Sequence, residues 1–274
     1  MPLLEVKDIR RAFGGLVAVN RVSFNVASGQ IKAVIGPNGA GKTTLFNIIS
    51  GLLKADGGQI TFKGRSLAGF KPHQVARAGI SRTFQNPSLF FQMSVLENVM
   101  VGRHSRSHWE FAGCCLRFPG QPREERAIRQ AAQAHLDFVG LTPVAAAPAG
   151  ALSFGQRRMV ELARALATEP ELLLLDEPAS GLNTKEKENL ADLIRRIRDR
   201  GITALLVEHD MTMVMGLCDD ILVLHNGEVI AEGPPATIQN DPAVVSIYLG
   251  GEFHPPEEVE LARLTGRMEN AIAG

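Results

Sequence analysis

Gly36-Pro37-Asn38-Gly39-Ala40-Gly41-Lys42-Thr43 follows the apolar run Ile31-Lys32-Ala33-Val34-Ile35 and precedes Thr44-Leu45-Phe46-Asn47-Ile48-Ile49, a helical pattern. The octet fits G-x-x-x-x-G-K-S/T. A strand before it and a helix after it are the context in which that spacing cradles phosphate. Glycines let backbone N–H groups approach phosphate oxygens, and the following helix adds the positive end of its dipole. Lys42 is placed to reach the β- and γ-phosphates of a nucleotide, and the Thr43 hydroxyl to ligate Mg2+. A Gly-rich turn that only started a helix would have no use for Lys-Thr here.

Outward from this loop, Leu172 to Leu175, Thr203 to Val207 and Ile221 to Leu224 are further apolar runs. With Ile31 to Ile35 they suit a buried, largely parallel sheet. Leu4 to Ile9, Val22 to Val26 and Gln59 to Phe62 alternate instead, with Gly-rich turns between them, and predict an antiparallel flank. Lys185 to Arg200 carries Leu190, Leu193, Ile194 and Ile197 on one helical face. The predicted fold is therefore α/β: a mainly parallel core sheet with an antiparallel β flank. Strands are scarce between Asn86 and Ala151, where Arg123 to Val139 reads as a helix, so residues 86–151 are expected to form a helical insertion. Residues 103–123, which hold the single Trp, read as an irregular loop. His104 and His108 in it have no third ligand at metal-binding spacing. The tail, 251–274, is charged and contains Pro, with a short helix expected over Glu257 to Met268. No internal repeat is apparent, so residues 1–250 are expected to form one nucleotide-binding unit.

The chain has 274 residues, 45% of them apolar, enough for a substantial core. Lys plus Arg and Asp plus Glu number 29 each, a balance that argues against nucleic acid as a partner. Cys114, Cys115 and Cys218 form neither a disulfide framework nor a metal-ligand spacing, which suits a reducing compartment. The first residues lack the basic leader and apolar stretch of a secretory signal. No run approaches the roughly 20 apolar residues needed to span a bilayer.

Leu172-Leu173-Leu174-Leu175-Asp176 ends a buried strand in a carboxylate. Beside a phosphate loop, such an Asp holds Mg2+, often through water. Glu177 follows it and is placed to polarise a water for attack on the γ-phosphate. Ser153, in Leu152-Ser153-Phe154-Gly155-Gln156, is a plausible N-cap for a helix with Met159, Leu162, Ala163 and Leu166 on one face. That helix start is a second candidate anion site, or simply a capped helix.

In this set of motifs and their order the chain resembles the ATP-binding subunits of ABC transporters, from about Leu4 to Gly250. Leu152 to Gln156 is similar to the signature Leu-Ser-Gly-Gly-Gln, with Phe154 replacing a Gly. Gln85, in Arg82-Thr83-Phe84-Gln85-Asn86, resembles the Q-loop, and His209, in Val207-Glu208-His209-Asp210, the switch histidine. Ser180-Gly181-Leu182-Asn183 resembles the D-loop but ends in Asn where Asp is usual, and Phe13 matches the aromatic that stacks on adenine. Within the family, Phe154, Gly181-Leu182-Asn183, Arg82-Thr83-Phe84-Gln85-Asn86 with Leu89-Phe90 and Glu97-Asn98, and the ending Asp241-Pro242…Tyr248-Leu249-Gly250 resemble the branched-chain amino acid importer branch, most of all its longer ATPase subunit. Urea and amide importers share these features.

The resemblance implies ATP and Mg2+ as cofactors. It implies a nucleotide site built from Phe13, Gly36, Pro37, Asn38, Gly39, Ala40, Gly41, Lys42, Thr43 and Thr44, closed by Ser153, Gly155 and Gln156 of a second cassette, itself or a homologue, meeting it head to tail. Thr43, Gln85 and Asp176 would surround the metal; Glu177, His209, Lys42 and Gln85 would carry the chemistry. Implied partners are integral-membrane permease subunits and, indirectly, an extracytoplasmic solute-binding protein, with the chain peripheral at the cytoplasmic face of the membrane. The rivals are a urea or amide importer ATPase, a lipopolysaccharide-export ATPase, a soluble ABC ATPase and a P-loop small-molecule kinase. The soluble relatives usually carry tandem cassettes or long coiled coils, and neither is seen here. A kinase would need neither the Ser153 segment nor His209. Pro87, Leu89, Phe90, Phe91 and Met93 form an apolar cluster, either buried within the insertion or forming the groove that would receive a permease helix.

Overall fold

Ile31–Ile35, Leu172–Asp176 and Thr203–Val207 are buried at every residue, as apolar runs in the middle of a sheet must be. The computed structural model describes residues 2–83, 88–103 and 121–249. In chain order the strands are β1 (Leu4–Phe13), β2 (Leu16–Val26), β3 (Ile31–Ile35), β4 (Gly57–Phe62), β5 (Arg65–Ser66), β6 (Ile80–Arg82), β7 (Leu172–Asp176), β8 (Thr203–Val207), β9 (Asp220–His225) and β10 (Glu228–Gly233). The helices are α1 (Lys42–Ile49), α2 (Pro72–Ala78), α3 (Val95–Arg103), α4 (Gln121–Val139), α5 (Phe154–Leu166), α6 (Thr184–Asp199), α7 (Met211–Leu217), α8 (Pro235–Gln239) and α9 (Pro242–Leu249).

The core sheet runs β10-β9-β3-β8-β7-β6 and is parallel except for the β9–β10 hairpin at its edge. A second, antiparallel sheet runs β2-β1-β4-β5. It closes over α1 and one face of the core sheet around Phe24, Leu45, Phe46, Phe62 and Leu174. The other face of the core sheet is covered by α5, α6 and α7 through Leu162, Leu190, Ile194 and Val214. A third apolar cluster joins α3, α4 and α5 through Val99, Leu136, Val160 and Ala163. The helical layer thus extends beyond residue 151 into α5, which serves both it and the core.

The expected parallel core and antiparallel flank are both present. The helix expected over Lys185 to Arg200 is Thr184–Asp199, capped by Asn183, whose side chain accepts from the N–H of Glu186 at 2.9 Å. That gives a use for the Asn that stands where the D-loop usually has Asp. Strand β1 runs on to Phe13, past Ile9, where the sequence alternation ends. Asp8 has φ 48°, and the pairing with β2 shifts register nearby. Such a bulge changes the phase of the pleat, so the residues beyond it do not read as a continuation. His104, His108, Cys114, Cys115 and the tail, with its expected helix, lie outside the described residues. Among the described residues, no helix is long and apolar enough to cross a membrane.

Candidate functional site

β3 delivers the chain to the phosphate loop and α1 carries it away. The loop is wedged between β2 and β9. A Cβ on Gly36 would lie 2.1 Å from the carbonyl oxygen of Leu224, and one on Gly41 2.3 Å from that of Ala18. Both glycines also have positive φ, 152° and 98°, so only Gly fits at either position. Lys42 is the first residue of α1 and is buried. Its Nζ donates to the carbonyls of Gly36 at 2.7 Å and Pro37 at 2.9 Å. Burial lowers its pKa, against the opposing pull of Glu177 and Asp176.

A cavity of about 180 Å3 opens on this loop, lined by Ala18, Asn38, Gly39, Ala40, Gly41, Lys42, Thr43, Thr44, Glu177 and His209. Residues separated by well over a hundred positions meet here because β7 and β8 are parallel neighbours, with Asp176 opposite Val207. Glu177 and His209 therefore leave adjacent strand ends on the side where parallel sheets bind ligands. His209 Nε2 lies 3.0 Å from Glu177 Oε1. Glu177 has φ 47°, unusual for a residue with a side chain, and its N–H donates to the carbonyl of Val207 at 2.9 Å.

Three polar groups missed in the sequence support this arrangement. Glu208 is buried; one carboxylate oxygen accepts from the N–H of Ala179 at 2.6 Å and the other from that of His209 at 3.0 Å. It ties the turn after Glu177 to the His209 backbone. Its signal was available, since Thr203 to Val207 followed by Glu208 repeats the pattern of an apolar strand ending in a carboxylate. Arg82, at the end of β6, donates to Asp176 Oδ2 at 2.7 Å. Arg158, on α5, pairs with Glu161 at 3.1 Å and reaches the carbonyl of Glu177 at 3.4 Å. Arg82 opens the stretch that resembles the Q-loop, but nothing local shows its pairing with Asp176, and no local pattern marks Arg158.

Ser153, Gly155 and Gln156 do not line the cavity. Ser153 caps α5 as expected: its Oγ accepts from the N–H of Gln156 at 3.3 Å, and its own N–H donates to the Gln156 side chain at 3.0 Å. Phe154 lies against Gly181, where an added Cβ would be 2.8 Å from its ring. Phe13 sits at the β1–β2 hairpin end, 46% exposed, with the Arg11 guanidinium 4.8 Å from its ring centre. Gln85 lies outside the described residues. Among the described residues, no group of three or more His, Cys, Asp or Glu gathers as a metal cluster. Thr43 and Asp176 offer hard oxygen donors, a set that suits Mg2+, which takes few protein ligands and fills its octahedron with phosphate oxygens and water.

Residues 19–180 match the ABC transporter family. The chain belongs to that family. Residues 228–254 match a second family, the branched-chain amino acid ATP-binding cassette transporter. The high-affinity branched-chain amino acid transport ATP-binding protein BraF of Pseudomonas aeruginosa is 43% identical over 250 residues, 91% of this chain and 98% of BraF. LivG of Salmonella typhimurium, of the same description, shows the same identity over the same shares. The crystal structure of a nucleotide-free ATP-binding cassette from an ABC transporter superposes with a TM-score of 0.80 at 34% identity, covering 90% of this chain and 99% of that one. A dimeric cassette in a post-hydrolysis state, bound to ADP and Pi, superposes with a TM-score of 0.72 at 25% identity, covering 85% and 98%. This ABC cassette is thus an ATPase of the family, and it spans 98% of the length of BraF and of LivG.

Proposed function

We propose that this cassette is the ATP-binding and hydrolysing subunit of an importer for branched-chain amino acids. The observation that carries the chemistry is the Glu177–His209 contact, 3.0 Å long, at the cavity of the phosphate loop. The solute class is supported by the kinship to BraF and LivG and by the match of residues 228–254.

In this reading backbone N–H groups of Asn38 to Thr44 and the Lys42 ammonium hold the β- and γ-phosphates, and Phe13 carries the adenine. Thr43, Asp176 and Gln85 hold Mg2+, which when bound neutralises phosphate charge. Glu177 accepts the proton of the attacking water, and His209 holds both the Glu177 carboxylate and the γ-phosphate. Catalysis is then positioning and charge stabilisation. Ser153, Gly155 and Gln156 close over the nucleotide of a second cassette, which agrees with their place outside this chain's own cavity. Residues 1–250 form the ATP-binding unit with its helical insertion at 86–151, docked on permease subunits at the cytoplasmic face. A solute-binding protein is engaged through the permeases alone.

Glu177→Gln tests the chemistry. ATP binding is expected to persist while hydrolysis slows at least ~100-fold, the scale of a lost general base. Near-normal turnover would remove Glu177 from that role. Uptake of labelled leucine, isoleucine and valine by cells lacking this chain tests the solute. Uptake is expected to fall, and to be restored by the wild-type chain but not by Glu177→Gln. Intact uptake of these amino acids alongside lost urea or amide uptake would overturn the assignment.

A further inference from the structure

A single, largely covered side chain links α1 to β7 beside the nucleotide site. Arg82 ends β6, next to β7, with Arg82 in register with Leu174. Its guanidinium reaches two elements at once. One nitrogen donates to Asp176 Oδ2 at 2.7 Å; the other donates to Asn47 Oδ1 at 2.7 Å and to Ser50 Oγ at 3.0 Å. The Arg82 and Asp176 side chains are each only 6% exposed.

Thr43, Asn47 and Ser50 are spaced i, i+4, i+7 along and just past α1, so they share one face of that helix. Arg82 therefore grips α1 one turn below Thr43 while gripping Asp176 on β7. The two oxygen donors offered to a metal come from separate elements, and Arg82 spans them. A buried ion pair contributes little net stability, because desolvating two charges offsets their attraction. Apolar residues would fill this position at least as well for folding alone. The planar fork of Arg, which serves a carboxylate and an amide together, points instead to geometry, and a point-charge Lys could not hold both.

We propose that Arg82 is a positioning residue for the magnesium site. It fixes the separation of Thr43 and Asp176 and commits Asp176 Oδ2, leaving Oδ1 for the metal or its water. The proposal rests on the reading of Asp176 as a magnesium carboxylate. Groups that orient metal ligands typically change affinity about 10- to 100-fold when lost.

The test uses Mn2+ as the metal probe on the full chain with ATP bound, its affinity read by electron paramagnetic resonance, alongside ATP affinity in EDTA read with a fluorescent nucleotide. Arg82→Lys and Arg82→Gln are expected to weaken Mn2+ binding about 10-fold. Metal-free nucleotide affinity is expected to stay within about 2-fold of the parent chain, less than the loss of one hydrogen bond. Asn47→Ala, which removes one anchor of Arg82 and leaves Asp176 paired, is expected to weaken Mn2+ roughly 3-fold, the scale of a single hydrogen bond. It decides the matter if the Arg82 variants do not fold. Asp176→Asn is the control. If it leaves Mn2+ affinity unchanged, the magnesium reading of Asp176 fails and this proposal with it. If it weakens Mn2+ while the Arg82 and Asn47 variants bind it normally, the role of Arg82 alone is overturned. Equal losses of metal and metal-free nucleotide affinity would also overturn it, since Arg82 would then shape the loop and not the metal site.

Discussion

Glu177 has φ 47°, and its carboxylate meets His209 Nε2 at 3.0 Å. A left-handed residue with a side chain costs energy and persists only where its surroundings impose it. Glu208 is one such constraint on the turn, a buried carboxylate that accepts from the N–H groups of Ala179 and His209. Glu208→Gln keeps the shape but turns an amide NH2 toward one of those donors. The expected result is a fall in kcat of at least ~5-fold with KM for ATP little changed, from a lost buried acceptor worth about 1–3 kcal/mol. Steady-state kinetics with a melting curve on the same sample checks it; unchanged kcat would make Glu208 a fold element only. Phe13 is a second residue-scale case. Its ring is 46% exposed and the Arg11 guanidinium stands 4.8 Å away. ATP affinity is expected to fall in Phe13→Ala and hold in Phe13→Tyr, with GTP bound weakly, because stacking asks for a ring and not for base-specific hydrogen bonds. Unchanged affinity in the alanine variant would return Phe13 to a packing role. Lys42, Thr43, Asp176 and Glu177 could be singled out in the sequence because each sits in a short local pattern; His209 was reached only through the family resemblance, since a lone histidine after a strand has no signal of its own. The link made by Arg82 could not be read, although Arg82 stands in the Q-loop stretch, since its partners Asn47 and Asp176 lie 35 and 94 residues away.

At the scale of elements, the apolar runs that became β3, β7 and β8 were plain because a central parallel strand is buried on both faces. The short pieces, β6 and α2, were not read. Ile80–Arg82 is three residues long, too short for a period to show, and α2 starts at Pro72 with a single buried residue, Val75. Helix α7 shows how a short element is held. Asp210 is its N-cap, accepting from the N–H of Met213 at 3.0 Å and from Lys187 of α6 at 2.7 Å. The hydrogen bond from Lys187, then that from Met213, holds the Asp210 carboxyl below the usual carboxylate range. An acid with a depressed folded pKa adds stability above its unfolded value, about 3.9, and loses it as pH falls through the folded one. Asp210→Ala is expected to cost about 1 kcal/mol at neutral pH. The gap from wild type should narrow below about pH 4. Urea unfolding across that range measures it, and a gap independent of pH would assign the cost to packing.

At the scale of the molecule, one question left open by the sequence was where the apolar cluster after Gln85 lies. It divides. Leu89 is buried in the helical cluster with Val95 and Leu136, while Phe90 and Phe91 are 52% and 48% exposed. Pro87 lies outside the described residues. The backbone beneath the two rings is fixed: buried Asn98 accepts from the N–H of Phe90 at 2.8 Å and donates to its carbonyl at 3.0 Å. Phe91 also lies under the Arg157 guanidinium, 5.2 Å from its ring centre, and Arg157 follows the Ser153–Gln156 segment on α5. Two exposed phenylalanines on a stapled loop, in contact with the helix proposed to close on a second cassette's ATP, suit a surface through which a permease senses closure. The partner itself came only from family resemblance, because a contact surface leaves no local pattern in one chain. Replacing both rings, Phe90→Ser with Phe91→Ser, removes exposed apolar area and leaves Leu89 and Asn98 in place. Transport by the assembled complex is expected to fall well below wild type, while ATPase activity and the melting temperature of the isolated cassette stay near theirs. Cysteine pairs between this loop and the cytoplasmic loops of the permease are expected to crosslink, with a yield that ATP alters. If transport, ATPase activity and melting temperature instead fall together, the rings belong to the core of the helical layer and the coupling surface lies on another face.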